Sequence, residues 1–379
     1  MKKLAITIFF DAFVLMLLGL VIVMSASSTY SINRFDSVFY LFNSHLFKVL
    51  LGFAFMIIFS FIPYELYKSY SKWAIFITVA VLIVTLIIAP NIKGAGRWLD
   101  LGFVSIQPAD IARLVIIIHL AVLLDKKFDL LDDYKHTFIP MFLWVVLISS
   151  LIIVQPNFST GILIVLISLS LMYVGGARPK HIMISLLSVF AAGSVTALIY
   201  PHIRARIFAF FNALFNGGDL NLQVKQALYS LGSGGLFGVG LGNSMQSNLF
   251  LPEAYGDFIF AILGEEMGFI GTVIVIAGYL LLFIVGILIA KKAKDRFGQL
   301  LAFGITISIV AYAIVNIAVT TGMIPTTGLP LPFISYGGTS LVFVCIGIGI
   351  LINIALSNQK KSDTIDDDIS GHTFAEAEI

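Results

Sequence analysis

Charge is what this chain has least of: only 12% of its 379 residues are Asp, Glu, Lys or Arg, about half the share of a soluble domain. With 59% hydrophobic residues and a mean hydropathy of +1.01, that excludes a soluble globular protein and leaves a polytopic helical membrane protein. One cysteine, Cys345, permits no intramolecular disulfide and no cysteine metal site. The six histidines show no metal-ligand spacing, and no Walker loop is present. The glycine run 232–242 follows no strand, so it is not a dinucleotide fingerprint. An ATP-driven pump is therefore disfavoured. A net charge of +2 without a basic cluster gives no sign of a nucleic-acid partner.

What is present is a series of apolar runs. They predict about ten transmembrane helices, near 5–24, 46–62, 73–90, 108–124, 138–154, 158–174, 181–200, 267–290, 300–320 and 334–356. The run at 46–62 is the weakest. The first run resembles a signal peptide but is long enough to remain as an anchor, and further spans follow. Most Lys and Arg, among them Lys2, Lys68, Lys126, Arg178, Lys291 and Lys360, fall in segments on one side, which puts both termini in the cytoplasm. A large extracytoplasmic loop, 201–266, then joins spans 7 and 8. The chain divides into a membrane domain, 1–356, and a tail, 357–379, whose Asp-rich composition reads as disordered.

Three outer segments carry the polar chemistry. In 91–113 the cations Lys93, Arg97 and Arg113 accompany a Gln107-Pro108 helix start. The long loop begins with helical apolar spacing from Ile203, which suggests a helix on the membrane surface. It continues through glycines that include Gly235, then Pro252, Glu253, Asp257, Glu265 and Glu266. The third segment, 321–340, has three prolines and four glycines, a backbone that cannot face lipid and should line a cavity.

Cations and carboxylates on the outer face of a membrane suit a lipid-linked pyrophosphate. Lys93, Arg97 and Arg113 could meet its headgroup, and one carboxylate base would suffice to activate an attacking sugar hydroxyl. On the residues alone, Asp257 serves equally as that base or as the cap of a helix starting at Phe258. Glu265 and Glu266 read as structural partners of Arg. Arg97 reads either as a ligand contact or as an interface anchor beside Trp98. An unbroken helix from Phe258 to Ala290 would be about 50 Å long.

The segments KGAGRWLDLG (93–102), QPADIARL (107–114), QPNFSTG (155–161), SLGSGGLFGVGLGNSMQ (230–246), LPEAYGDFIFAILGEEMGFIG (251–271) and GLPLPFISYGGTSL (328–341) together resemble the SEDS peptidoglycan glycosyltransferases, the FtsW/RodA/SpoVE family. The resemblance implies an inverting lipid II polymerase at the outer face of the bacterial cytoplasmic membrane. Asp257 would be the catalytic base for the acceptor GlcNAc C4 hydroxyl, and undecaprenyl pyrophosphate the leaving group. Lys93, Arg97, Gln107, Arg113, Gln223, Glu253 and Ser335 are the candidate substrate contacts. Glu265, Glu266, Pro252 and Gly235 are the candidate supporting residues. The family usually has Lys at the position of Arg113, often Glu at that of Asp110, and in some members Glu at that of Leu249. A divalent cation, Mg or Mn, is an expected assistant to the pyrophosphate without a visible ligand cluster. The implied partners are a class B penicillin-binding protein and other divisome proteins. The stretch GVGLGNS followed by LPEAYGDFIFAILGEE is closer to the division-type than to the elongation-type members. A lipid II flippase and a catalytically silent scaffold are the competing readings.

Overall fold

The computed structural model describes residues 1–89, 96–100, 105–251 and 254–375. Pro252, Glu253 and Lys93 lie outside them. Among the described residues twelve α-helices run in order: α1 Lys2–Phe35, α2 Tyr40–Phe61, α3 Glu65–Ile88, α4 Pro108–Lys126, α5 Ile139–Val154, α6 Phe158–Val174, α7 Pro179–Ile199, α8 Pro201–Asn216, α9 Leu222–Ser233, α10 Ile259–Lys292, α11 Arg296–Thr320 and α12 Ser340–Ala375. Two short antiparallel strands, β1 Leu99–Asp100 and β2 Ser105–Ile106, pair Leu99 with Ile106.

Among the described residues, eight helices are long and apolar enough to cross a membrane, and Phe158–Val174 is a shorter apolar helix. The expected weak span is a full 22-residue helix, α2. The helical apolar spacing from Ile203 falls on α8, with Phe208, Phe211 and Leu214 exposed. α12 continues to Ala375.

The helices pack without strong two-faced patterning, because in lipid an apolar residue is at home on either face. Close approach comes from small residues. Gly52 of α2 faces the Cys345 sulfur of α12, where an added Cβ would lie at 3.1 Å, and Gly349 of α12 abuts the Met56 carbonyl. α2 thus lies along α12, while α10 packs between α1 and α11, and α4 touches α3, α6 and α11. α7 is peripheral, with only 6% of its apolar window buried. The predicted inner end is knitted by pairs such as Lys68–Asp125 at 2.5 Å and Arg178–Asp132 at 2.6 Å.

α10 is not one unbroken rod. Gly268 sits at φ 67°, ψ −166° and interrupts it, which frees backbone groups on both sides of the break. The glycine loop fills the gap. Val239 N–H donates to the Glu265 carbonyl at 2.9 Å and Gly240 N–H to that of Glu266 at 3.1 Å. Phe269 N–H donates to the Gly235 carbonyl at 2.9 Å, and Ile270 N–H to that of Leu236 at 3.2 Å. Buried backbone groups must find partners, and here a loop supplies those the helix lost. A Cβ on Gly238 (φ 81°) would overlap the Glu266 carbonyl, so the close approach requires glycine.

Candidate active site

Asp257 ends the turn that leads into α10. The helix N-cap is Phe258, whose side chain makes no cap bond, so α10 begins one residue later than the capping reading of Asp257 supposed. The half-buried carboxylate of Asp257 lines a cavity of about 1040 Å³. Three hydrogen bonds from other elements hold the backbone of the turn. Ser335 Oγ donates to the Gly256 carbonyl at 2.7 Å, Tyr336 N–H to that of Tyr255 at 2.9 Å, and Asn316 Nδ2 to that of Asp257 at 2.8 Å. Asn316 also donates to Leu329 O at 2.8 Å. The irregular 321–339 segment, anchored on α11 through Asn316, therefore fixes where Asp257 stands. Gly328 (φ 77°) runs beside the carboxylate, with an added Cβ falling 3.5 Å from Oδ2.

Across the cavity from this turn are α2 and α12. Phe47, Leu51 and Phe55 of α2, with Val342, Phe343 and Ile346 of α12, form an apolar wall. Set in that wall is Lys48, whose Nζ lies 4.1 Å above the Tyr336 ring. Lys48 forms no ion pair with a carboxylate among the described residues. A cation placed mid-helix on such terms is expensive unless it meets an anion from elsewhere. Gln223, Trp98 and Thr339 complete the polar lining. A carboxylate, a cation, aromatic rings and a lipid-like wall in one chamber suit an anionic amphiphile carrying a sugar.

The expected substrate contacts separate. Asp257 and Gln223 share the chamber. Arg97 lines a neighbouring cavity of about 290 Å³ and donates to the Pro156 carbonyl. Burial and the nearby Arg206 lower its pKa, while Asp257 opposes that shift, so Arg97 and Asp257 interact electrostatically through the boundary between the cavities. Gln107 N–H donates to Thr339 Oγ1 at 3.0 Å, which in turn donates to Asp110 Oδ2 at 3.3 Å. Arg113 lies deeper still, 4% exposed, 3.9 Å from Asp110 and 4.2 Å above the Tyr312 ring. Neither it nor Ser335 lines the chamber. Both brace elements that do, because helical spacing turns Arg113 toward α11 and the Ser335 hydroxyl is spent on Gly256 and Leu331.

Glu265 and Glu266 are supporting residues, with a correction to their partners. Glu265 accepts from Ser230 Oγ at 2.8 Å, Ser244 Oγ at 2.6 Å and Met245 N–H at 3.0 Å. Glu266 accepts from Ser25 Oγ at 2.5 Å and Gly242 N–H at 3.2 Å. Serines and loop amides take the place of the expected arginines, because the glycine loop folds onto this helix and presents its own donors. Gly235 adopts φ 56° in that loop. Sequence reasoning missed Lys48, Tyr336 and Asn316. Lys48 and Asn316 had one available signal, a polar side chain inside an apolar run; Tyr336 had none.

Among the described residues no three His, Cys, Asp or Glu side chains come together. The donor set alone does not build a site for Mg or Mn, and no step below depends on one.

The family described as "Cell cycle protein", FtsW/RodA/SpoVE, matches residues 5–360. A relative named "Probable peptidoglycan glycosyltransferase FtsW" from Coxiella burnetii is 34% identical over 95% of this chain and all of its own length. "Stage V sporulation protein E" of Bacillus subtilis is 34% identical over 90% of this chain and 94% of its own. Among solved structures, a chain from work titled "Structural coordination of polymerization and crosslinking by a peptidoglycan synthase complex" superposes with a TM-score of 0.77 at 21% identity, covering 93% of this chain and 97% of that one. Thermus thermophilus RodA superposes with a TM-score of 0.68 at 22% identity over 93% of this chain and 96% of its own.

Proposed function

This chain belongs to the FtsW/RodA/SpoVE family of cell cycle proteins, and from that premise we propose that the Asp257 chamber polymerises lipid II into glycan strands. The observation that carries the reading is the position of Asp257: a carboxylate held by three backbone anchors in a chamber whose far wall is apolar and carries Lys48. Asp257 takes the proton from the C4 hydroxyl of the acceptor GlcNAc as that oxygen attacks C1 of the donor MurNAc. The C1–oxygen bond to the diphosphate breaks, and the polyprenyl diphosphate leaves with the electron pair. A diphosphate needs charge neutralisation more than protonation, so one carboxylate is enough where glycosidases need two. Fixing the base in advance lowers the orientational cost of the reaction.

Within the family we assign the division role, supported by the GVGLGNS and LPEAYGDFIFAILGEE stretches. A class B penicillin-binding protein is the proposed partner, and both termini are assigned to the cytoplasm. The break in α10 is a feature that discontinuous transporter helices share, so flipping of lipid II is the second reading.

One experiment tests both. The purified protein with its transpeptidase partner is given lipid II, and Asp257→Asn is compared with wild type. Polymer from wild type and none from a folded Asp257→Asn supports the assignment; undiminished polymer from the variant refutes it. Lipid II crossing liposomes without polymer would favour transport. For the division role, complementation of a strain depleted of its division enzyme should succeed, and rescue only of an elongation mutant would reject it.

A further inference from the structure

The glycine loop has a side that its interlock with α10 leaves bare. No charged residue stands between Lys225 and Glu253, and the large apolar side chains of the loop face outward. Leu236, Val239, Leu241 and Met245 are exposed, and Phe237, at 79%, is the most exposed large apolar side chain among the described residues. A patch of that kind is a poor surface for water and marks contact with something apolar.

Two helices serve as rulers for its height. From Lys291 of α10 up to the break at Gly268 the rise is about 35 Å. From Lys3 of α1 up to Ser25 it is about 33 Å. Both marks touch the loop. Ile270 N–H donates to the Leu236 carbonyl at 3.2 Å, and Gly242 N–H to Ser25 Oγ at 2.9 Å. A hydrocarbon core is about 30 Å thick, so with the lysines at one interface the loop stands at the other. The composition of α1 changes at the same level. Residues 4–24 are apolar or glycine apart from Thr7 and Asp11, whereas Ser25, Ser27, Ser28, Thr29 and Ser31 follow. Irregular backbone is tolerated at such a depth only when its polar groups are satisfied. The amides of Gly238, Val239, Gly240, Gly242 and Met245 all have acceptors.

We propose that the glycine loop is seated in the outer leaflet, with Leu236, Phe237, Leu241 and Met245 entering the zone where acyl chains meet headgroups. Its occupant is lipid because the patch adjoins exposed apolar residues of two spanning helices, Phe269 and Ile270 of α10 and Met24 of α1. A stretch without charge also offers a soluble partner no ion pair. Through its bonds to Glu265 and Glu266 the seated loop ties the outer segment of α10 to the membrane plane. The inference does not depend on the polymerase reading, since it uses only depth and exposure.

Spin-label accessibility in nanodiscs of phosphatidylglycerol and phosphatidylethanolamine tests it. Cys345 is fully buried, so labels on Phe237→Cys and Leu241→Cys report those sites. Ile274→Cys, on the lipid-facing side of α10, and Asp129→Cys, at an exposed polar position, mark lipid and water. The ratio of oxygen to nickel-chelate accessibility at both loop sites should exceed that at Asp129→Cys by more than about threefold, and approach that at Ile274→Cys. It should stay there when the full chain is bound to its transpeptidase partner. A ratio equal to that at Asp129→Cys would place the loop in water and overturn the proposal. Loss of access to both reagents, with or without the partner, would show that protein covers the loop and would overturn it too. Because the two loop sites are read separately, a local disturbance at Phe237 does not decide the result.

Discussion

Asp257 is ordinary as a residue and specific only through what holds it. Its carbonyl and that of Leu329 both depend on the Asn316 amide. Asn316→Ala leaves two carbonyls without their donor, at a cost of about 1–3 kcal/mol. A base displaced by this loss should slow turnover by about a hundredfold while lipid II binding holds. Single-turnover rates alongside binding isotherms separate those outcomes, and an unchanged rate would remove Asn316 from the positioning machinery. Lys48 makes a different prediction. Its charge faces the chamber with Tyr336 as its recorded partner, so it is available to a diphosphate. Lys48→Met should raise KM more than it lowers kcat, by about tenfold or more in kcat/KM, with partial recovery in Lys48→Arg. A variant kinetically equal to wild type would show that the diphosphate lies elsewhere.

At the scale of elements, the broken α10 and the glycine loop are one unit, since each satisfies the backbone of the other. Gly268 has φ 67°, and a Cβ there would overlap Gly238 N and the Leu236 carbonyl. Gly235, at φ 56°, has open space around the same position. Gly268→Ala should therefore cost about 2–4 kcal/mol, and Gly235→Ala only about 1 kcal/mol. Melting curves in detergent measure the difference, and equal shifts would mean that the interlock contributes nothing beyond backbone strain. The same interlock explains why two carboxylates, each 2% exposed, are tolerated at Glu265 and Glu266. Ser25, Ser230, Ser244 and the loop amides donate to both Glu265 oxygens and to Glu266 Oε1, which leaves Glu266 Oε2 as the one of the four without a donor among the described residues.

For the whole molecule, the charge bias along the chain assigns the 125–137 end to the cytoplasm and the α8–α9 end to the outside. Cys345 is fully buried, so the native protein gives a low background with an impermeant maleimide. Asn216→Cys and Asp129→Cys, both at exposed positions, should then behave oppositely. The first should label in intact spheroplasts and the second only after permeabilisation. The reverse pattern would invert the topology and move the Asp257 chamber to the wrong side for lipid-linked sugars at the outer face.

Composition and apolar run length determined on their own that the chain is a bundle of membrane helices, because hydrocarbon tolerates no other backbone for such sequences. The ordered motifs likewise marked Asp257 and Arg97, and the proline-rich 321–340 segment declared itself a cavity lining by being unable to face lipid. Tertiary structure alone decided the rest. It showed that Asp257 lines a chamber and that Arg113 and Ser335 brace the wall instead of lining it. It showed too that Glu265 and Glu266 bond to serines and amides, and that Arg97 lines a cavity separate from the Asp257 chamber. Those facts depend on which distant helix stands opposite, and a local pattern of residues carries no record of that. The glycine run makes the point most directly: its spacing announced close packing, but only the fold revealed that its partner is a gap in α10.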